Sequence, residues 1–199
     1  SVVLGQVKVD DKSNEITAIP ELLKMLDISG CIVSIDAIGT QKEIVSTILE
    51  QKGDYLLAVK QNQGRLYDQI QHTYTFDLKN EFNDAPYDYA KKVNKDHGRI
   101  ETRECWVTSD PEYIRYVDSE NNWQHLQSLV IVKATRRLGD KSTSQIRYFI
   151  SSLEADAKKM LKCVRQHWEI ENKLHWSLDV SFREDYSRVR IGHAPENLA

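Results

Sequence analysis

In the stretch Cys31-Ile-Val-Ser-Ile-Asp-Ala-Ile-Gly-Thr-Gln41, a short apolar and β-branched run leads directly to a single acid, Asp36. Such a run is typical of a strand that is buried on both faces of a sheet. A second run of the same kind, Asp54-Tyr-Leu-Leu-Ala-Val59, follows after an amphipathic helical pattern that opens with Thr40 as a capping residue. Strand, helix and strand at this spacing predict a parallel α/β unit.

The pattern changes in the middle of the chain. From 77 to about 100 the sequence is polar and is predicted to be irregular, and from there to 150 it is rich in β-branched residues, with Tyr113–Val117 as one of the expected strands. A long helical pattern then follows. We therefore expect one domain, 1–199, in which a polar loop and β-rich insertion at about 77–150 precede a C-terminal helix region at 151–199.

Composition narrows the class of protein. The net charge of -3 lacks the bulk basicity of many nucleic-acid-binding proteins, and no window has the roughly 18 apolar residues that a membrane span needs. The odd, widely spaced cysteines Cys31, Cys105 and Cys163 favour reduced, buried thiols in a cytoplasmic protein. There is no P-loop and no dinucleotide glycine motif, so a small-molecule cofactor is not expected.

Two acids stand out as candidates for metal chemistry. Asp36 follows a predicted strand, and Glu171 lies in the helical stretch Arg165-Gln-His-Trp-Glu-Ile-Glu-Asn-Lys-Leu-His-Trp176. Hard carboxylates are suitable ligands for Mg²⁺ or Mn²⁺, and two such ions can serve phosphodiester chemistry. The alternatives are that Asp36 only caps a turn and that Glu171 belongs to an exposed lattice of salt bridges.

Basic and amide side chains form two further candidate groups. The run His97-Gly-Arg-Ile-Glu-Thr-Arg103 places two arginines before a strand, where their planar guanidinium groups suit phosphates. Lys60-Gln-Asn-Gln63 follows the second buried strand and is open to the same interpretation. The alternatives are that the first group belongs to an ordinary charged edge strand and the second to an ordinary turn.

Several long motifs together carry a family resemblance. They are Val33–Lys42, Gly53–Gly64, His97–Arg103 and His167–Asp185. These motifs closely resemble the H-repeat-associated insertion-sequence transposases, which belong to the DDE transposases with a ribonuclease-H-like core. The resemblance implies a mixed sheet with flanking helices and a β-rich insertion before the last long helix. It also implies two divalent ions, Mg²⁺ or Mn²⁺, that serve DNA cleavage at element ends and strand transfer to target DNA.

The resemblance assigns roles to single residues. Asp36 corresponds to the second acid of the metal-binding triad, and Glu171 corresponds to the last. Positions His167 and Val164 depart from the wider group, which has Arg and Tyr there. The candidate DNA contacts are Lys60, Asn62, His97, Arg99, Arg103, Arg165, His167, Trp168, Asn172 and His175.

The same resemblance predicts that the chain is a catalytic-domain fragment. In the family the first acid lies on a strand upstream of Ser1, so this chain is expected to lack the first catalytic strand and to be impaired. The expected partner is DNA, a homodimer is one arrangement open to the protein, and the expected compartment is the bacterial cytoplasm. Two alternatives stay open: an inactive transposase remnant that folds and binds DNA, and a metal-dependent nuclease of the same fold.

Overall fold

The computed structural model describes residues 15–80, 82, 86–96 and 98–169. Five α-helices, one short 3₁₀-helix and six strands are formed within these ranges. In chain order they are α1 (Glu15–Lys24), β1 (Ile32–Ile35), α2 (Lys42–Glu50), β2 (Asp54–Val59), the 3₁₀-helix (Gln61–Gln63), α3 (Gly64–Lys79), β3 (Asp88–Asp96), β4 (Arg99–Thr108), α4 (Pro111–Val117), β5 (Ser128–Leu138), β6 (Lys141–Ser151) and α5 (Ala157–Glu169).

The six strands form one mixed sheet in the order β1-β2-β6-β5-β4-β3. Strands β1 and β2 are parallel and are joined through α2, as predicted, whereas all other neighbouring pairs are antiparallel. The β-rich segment is therefore continuous with the rest of the sheet, because β6 pairs directly with β2. The architecture confirms the predicted mixed α/β fold with flanking helices.

The sheet is covered on both faces by different helices. Alternate residues of β2 divide between two apolar clusters: Tyr55 and Leu57 pack with α2 and α3, while Leu56 packs with Met160 of α5. A strand buried on both faces needs apolar residues at every position, which explains the unbroken apolar run of β2. We call the side on which α5 packs the α5 face.

Three strands extend well beyond the helical cover. The outer halves of β4, β5 and β6 lose burial progressively towards the β5–β6 turn, where Leu138–Lys141 is exposed. Backbone pairing nevertheless continues to the strand ends. Arg99 of β4 pairs with Leu138 of β5, and Leu138 pairs in turn with Lys141 of β6. Among the described residues, no helix covers the α5 face of this projecting part, which lies beside the last described turns of α5.

Two predictions of local structure are wrong. Tyr113–Val117 lies in α4 and is not a strand, because the Asp110 carboxylate caps the helix by accepting the N–H groups of Glu112 (2.8 Å) and Tyr113 (3.2 Å). Part of the supposed irregular segment is a strand, since Asp88–Asp96 pairs along its whole length with β4. Polar residues suit this edge strand because its side chains are largely exposed.

Two further expectations need correction. Thr40 does not cap α2: the cap position is Gln41, and the Thr40 hydroxyl donates instead to the Ala58 carbonyl (2.6 Å). Among the cysteines, only Cys105 is fully buried, whereas Cys163 is half-buried and Cys31 is exposed. The local sequence could not reveal these outcomes, because both depend on what packs across from the residue.

Candidate active site at the carboxyl end of the parallel strands

Asp36 occupies the predicted position immediately after β1. Its Oδ1 atom accepts the backbone N–H of Ile38 at 3.1 Å and, more weakly, that of Gly39 at 3.5 Å. The residue is half-buried, and no hydrogen bond among the described residues uses Oδ2. The carboxylate is thus oriented by its own loop through one oxygen, an arrangement that leaves the second oxygen available for another ligand.

The loop that carries Asp36 is held by the loop that follows β2. The Asn62 side-chain amide donates to the Ala37 carbonyl at 2.5 Å, and the Gln63 amide donates to the Thr40 carbonyl at 2.8 Å. Carboxyl ends of parallel strands meet at one edge of a sheet, which is why these two loops are neighbours. Sequence reasoning nominated Asn62 for DNA, and in this structure its amide nitrogen supports the backbone beside Asp36.

Gly39 allows the loop to pass close to β1. A Cβ atom at this position would lie 2.3 Å from Cγ2 of Ile35 and 3.1 Å from Cδ1 of Ile19. Contacts of that length do not occur between real carbon atoms, so only glycine fits without a shift of its neighbours. The glycine of the motif therefore has a steric role next to the acid.

Helix α5 crosses the sheet from β3 to β1. Its first residue, Ala157, donates its N–H to Oδ2 of Asp88 at 2.7 Å, and near its other end Nδ1 of His167 lies 3.2 Å from the Ser34 hydroxyl. Because side chains alternate along a strand, Ser34 lies on the α5 face of β1, two residues before Asp36. The last described turn of α5 therefore runs over the strand that ends at Asp36.

Four candidates from the sequence lie outside the described residues. They are Glu171, which follows the last described residue by two positions, together with His97, Asn172 and His175. Among the candidates that are described, Lys60 is exposed directly after β2, and His167 contacts Ser34 as given above.

The remaining described candidates come together in one open cleft of about 720 Å³ between α5 and the projecting strands. We call it the arginine cleft. Its charged lining consists of Arg99, Glu101, Arg103, Arg136, Arg147 and Arg165, and Trp168, Leu161 and Val164 of α5 form its wall. Sequence reasoning nominated four of these residues, namely Arg99, Arg103, Arg165 and Trp168. It missed Arg136 and Arg147.

The missed arginines could be found only through strand pairing. Arg136 lies opposite Glu101 on the neighbouring strand, and Arg147 lies opposite Val132. Val132 belongs to the cluster under α5, so residues in register with it point to the same face. Arg147 also stacks on the Trp168 ring, with its Cζ atom 3.3 Å from the ring centre, a favourable cation–π contact.

The cysteines near the cleft take no part in its chemistry. Burial beneath α5, assisted by the negative charge of Asp88, raises the pKa of Cys105 to about 12. Burial also raises the pKa of Cys163 above its usual range. A thiol must be deprotonated to bind metal or to act as a nucleophile, and both of these remain protonated at neutral pH.

The chain matches the family described as the transposase DDE domain over residues 1–197. It belongs to that family. It is 44% identical over 200 residues to the "H repeat-associated putative transposase YhhI" of Escherichia coli strain K12, covering 98% of this chain and 52% of that protein. It is also 44% identical over 202 residues to the "Putative transposase YncI" of Escherichia coli O157:H7, covering 100% of this chain and 50% of that protein.

A third DDE transposase relative matches over a shorter region. The "H repeat-associated putative transposase YbfD" of Escherichia coli strain K12 is 55% identical over 112 residues, which cover 56% of this chain and 43% of that protein. The chain spans about half the length of the curated relatives it matches. No solved structure matches it significantly. The resemblance drawn from the motifs is confirmed, and the mixed sheet is consistent with the ribonuclease-H-like fold of this family.

Transposases of this family generally use divalent metal ions. Asp36 provides a hard oxygen ligand of the suitable kind, at a strand end and with one oxygen already oriented. Within the described part of the chain, no group of three or more His, Cys, Asp or Glu side chains is arranged to hold a metal. Among the described residues, Asp36 is therefore the ligand that suits a divalent ion at this site.

No described helix is long and apolar enough to cross a membrane.

Proposed function

We propose that this DDE transposase domain cleaves DNA at element ends and joins the ends to target DNA, with Asp36 and Glu171 as metal-binding acids. The observation that carries the proposal is the position of Asp36 at the carboxyl end of β1, the strand that α5 crosses. The contact between His167 and Ser34 supports it, because it brings the helix that leads towards Glu171 over the same strand. Membership of the family supplies the reaction class.

Two ions, Mg²⁺ or Mn²⁺, would supply charge stabilisation for the attacking and leaving oxygens of the phosphodiester. The protein would contribute ligand placement: Asp36 offers Oδ2 while its Oδ1 is held by the loop amides. A carboxylate that is already oriented loses less conformational freedom when it binds an ion. The amide side chains of Asn62 and Gln63 would maintain this orientation during the reaction.

Four of the proposed DNA contacts, Arg99, Arg103, Arg165 and Trp168, line the arginine cleft. Arginine suits phosphates because its planar fork donates two parallel hydrogen bonds. The arginine cleft opens next to the end of α5, so a strand that lies in it can continue towards Asp36. The full proposed set is Lys60, Asn62, His97, Arg99, Arg103, Arg165, His167, Trp168, Asn172 and His175. A chromosomal substrate implies a cytoplasmic protein, and pairing two element ends would suit a homodimer.

The domain division is proposed on the same basis. Residues 77–150 would act as a DNA-binding insertion, and 151–199 would carry the final acid. The pairing of β6 with β2 supports a rigid connection between the insertion and the strands that position Asp36. A rigid connection matters because misplacement of a substrate by about 1 Å can reduce the rate about 100-fold.

The test is Mn²⁺-dependent cleavage of element-end DNA by the protein encoded by the complete gene, compared with Asp36→Asn and Glu171→Gln. Each change should abolish cleavage while the melting temperature stays within a few degrees. Asp27→Asn is the matched control, because Oδ1 of Asp27 also accepts an N–H two residues ahead, that of Ser29 at 3.2 Å. Cleavage that survives Asp36→Asn would refute the site.

The products distinguish the transposase from its alternatives. A transposase should give both nicked element ends and joined target DNA. A nuclease of the same fold should give cleavage without joining, since water would be its only nucleophile. A remnant should fold and give neither product with any substrate or metal ion.

A further inference from the structure

Glu101 lies at the centre of a cross of polar side chains on the open α5 face. Its Oε1 contacts Nε of Arg99 at 3.1 Å, and its Oε2 accepts a hydrogen bond from the Arg103 guanidinium at 2.5 Å. Across the sheet, its register partners are Asn94 on β3 and Arg136 on β5. Directly paired residues in a sheet have Cβ atoms about 5 Å apart, so Arg136 completes a basic surround on three sides of the carboxylate.

The position of this cross in the cleft follows from strand alternation. Cys105 is buried beneath α5, and Arg103, Glu101 and Arg99 follow it at two-residue intervals along β4. All three side chains therefore project on the α5 face, where they line the arginine cleft. Among the described lining residues, five are arginines and Glu101 is the acid, so this part of the cleft is rich in positively charged side chains.

The Glu101 carboxylate lies where two guanidinium groups converge, an arrangement that also suits a phosphate. Guanidinium groups bind carboxylates and phosphates in the same way, through parallel N–H donors aimed at two oxygens. Both oxygens of Glu101 are engaged by arginines, and its side chain retains only 22% exposure. A phosphate that enters between Arg99 and Arg103 must therefore displace the carboxylate or share its donors.

The cleft is also close to the proposed catalytic acid. Ile35 of β1 pairs with Leu57 of β2, and Leu57 pairs with Ile150 of β6. One residue further on, Asp36 is therefore level with Phe149 of β6. Arg147 precedes Phe149 by two residues, so it lies on the same face of β6. Two strand spacings and two residues give about 12 Å between the Cα atoms of Asp36 and Arg147.

We propose that Glu101 is a built-in substitute for a phosphate in a DNA-binding cleft. Arg99, Arg103 and Arg136 hold backbone phosphates of that DNA. Glu101 competes with those phosphates and restrains the affinity of the cleft for DNA. This inference rests on the proposed function in one respect, that the polyanion is DNA. It adds Arg136 and Arg147 to the DNA-binding set and gives the acid a regulatory role.

The competition fits the energetics of an exposed arginine cluster. Without the carboxylate, Arg99, Arg103 and Arg136 would repel one another and would bind a polyanion through counterion release. With it, Arg99 and Arg103 are held in a fixed arrangement while the attraction for DNA is partly offset. The affinity of the arginine cleft for DNA of any sequence is therefore lower than the number of arginines alone implies.

The test measures DNA binding in EDTA, so that cleavage plays no part. The protein encoded by the complete gene is titrated against labelled element-end duplex by fluorescence anisotropy over a series of salt concentrations. Glu101→Gln should tighten binding several-fold and steepen the dependence of log Kd on log salt. Arg136→Gln should weaken binding about tenfold and reduce the slope by about 0.9, the loss of one phosphate contact.

Matched controls lie on the same strands but on the opposite face. Glu104→Gln controls for Glu101 on β4, where Glu104 contacts Lys91 at 3.7 Å, and Arg137→Gln controls for Arg136 on β5, where Nε of Arg137 donates to the Gly139 carbonyl at 3.1 Å. Neither control should change the salt slope. Circular dichroism melts of all variants establish that they fold, since these are exposed or half-exposed residues.

Two results would overturn the proposal. One is weaker or unchanged binding by Glu101→Gln, which would make the acid a support for the arginines and not a competitor. The other is equal competition by polyglutamate and DNA at matched charge, which would make the cleft a site for an acidic protein. Both outcomes are separable from the failure of Asp36 as a catalytic acid, because that failure appears in cleavage and leaves binding in EDTA unchanged.

Discussion

Gly39 should be the most sensitive position in the loop that carries Asp36. Substitution by alanine places a Cβ atom 2.3 Å from Ile35 Cγ2, about 1 Å short of the tightest ordinary contact. Ile35 cannot easily rotate away, because a β-branched side chain has few allowed χ1 states and this one packs against the core beneath α2. The strain must therefore move either the strand end or the loop.

The expected loss of unfolding free energy is about 1–3 kcal/mol, the usual range for overpacking a close-packed interior. For a protein of this size each kcal/mol lowers the melting temperature by about 2–4 °C, so Gly39→Ala should lower it by roughly 2–12 °C. Because the Ile38 and Gly39 amides orient Asp36, the same change should reduce metal-dependent cleavage by more than the fraction of protein that unfolds.

The assay is thermal unfolding by circular dichroism, with cleavage measured well below the transition. Gly64→Ala is the control, because Gly64 begins α3 and no neighbouring atom lies within 4 Å of the position that its Cβ would take. That change should raise stability by about 0.4–1 kcal/mol through the unfolded chain. If Gly39→Ala melts like Gly64→Ala and cleaves like the parent, the steric argument for this loop is refuted.

Three further outcomes are expected. Asn62→Ala should lower the unfolding free energy by about 1 kcal/mol and slow cleavage, because the 2.5 Å bond to the Ala37 carbonyl is lost; parental melting and rate together would contradict it. Asp110→Ala should destabilise the protein by about 0.5–2 kcal/mol in urea unfolding, whereas an unchanged midpoint would mean that α4 does not need its cap. The Cys105 thiol, with a pKa of about 12 against an ordinary 9.0, stays protonated in the folded protein while the unfolded thiol ionises; its stabilising contribution is therefore complete below pH 9 and declines from about pH 9 towards 12. Cys105→Ala should flatten that decline in alkaline urea titrations, and an identical slope would disprove its origin.

Local sequence was sufficient for the β1-α2-β2 unit. The apolar runs of β1 and β2 favour strands that are covered on both faces, and the amphipathic pattern between them favours a crossover helix, so both strands and α2 were predicted correctly. Prediction failed where context competed with composition. The tyrosine- and valine-containing segment of α4 has strand-forming residues, yet a proline after a capping aspartate starts a helix there.

The candidate site was likewise predicted only in part from the sequence. The strand-end position of Asp36 followed from the sequence, because an acid directly after a buried run must emerge at a sheet edge. The grouping of Arg103, Arg136 and Arg147 in one cleft did not, since these residues lie on three different strands and meet only through antiparallel register.

The sequence by itself therefore determined the two buried strands, the acid at the end of the first, and the family resemblance carried by its motifs. Only the tertiary structure decided which face of the sheet α5 covers, and so which arginines share a cleft. The physical reason is the two-residue period of a strand: composition sets which residues are charged, whereas pairing with a neighbouring strand sets the side on which each charge lies.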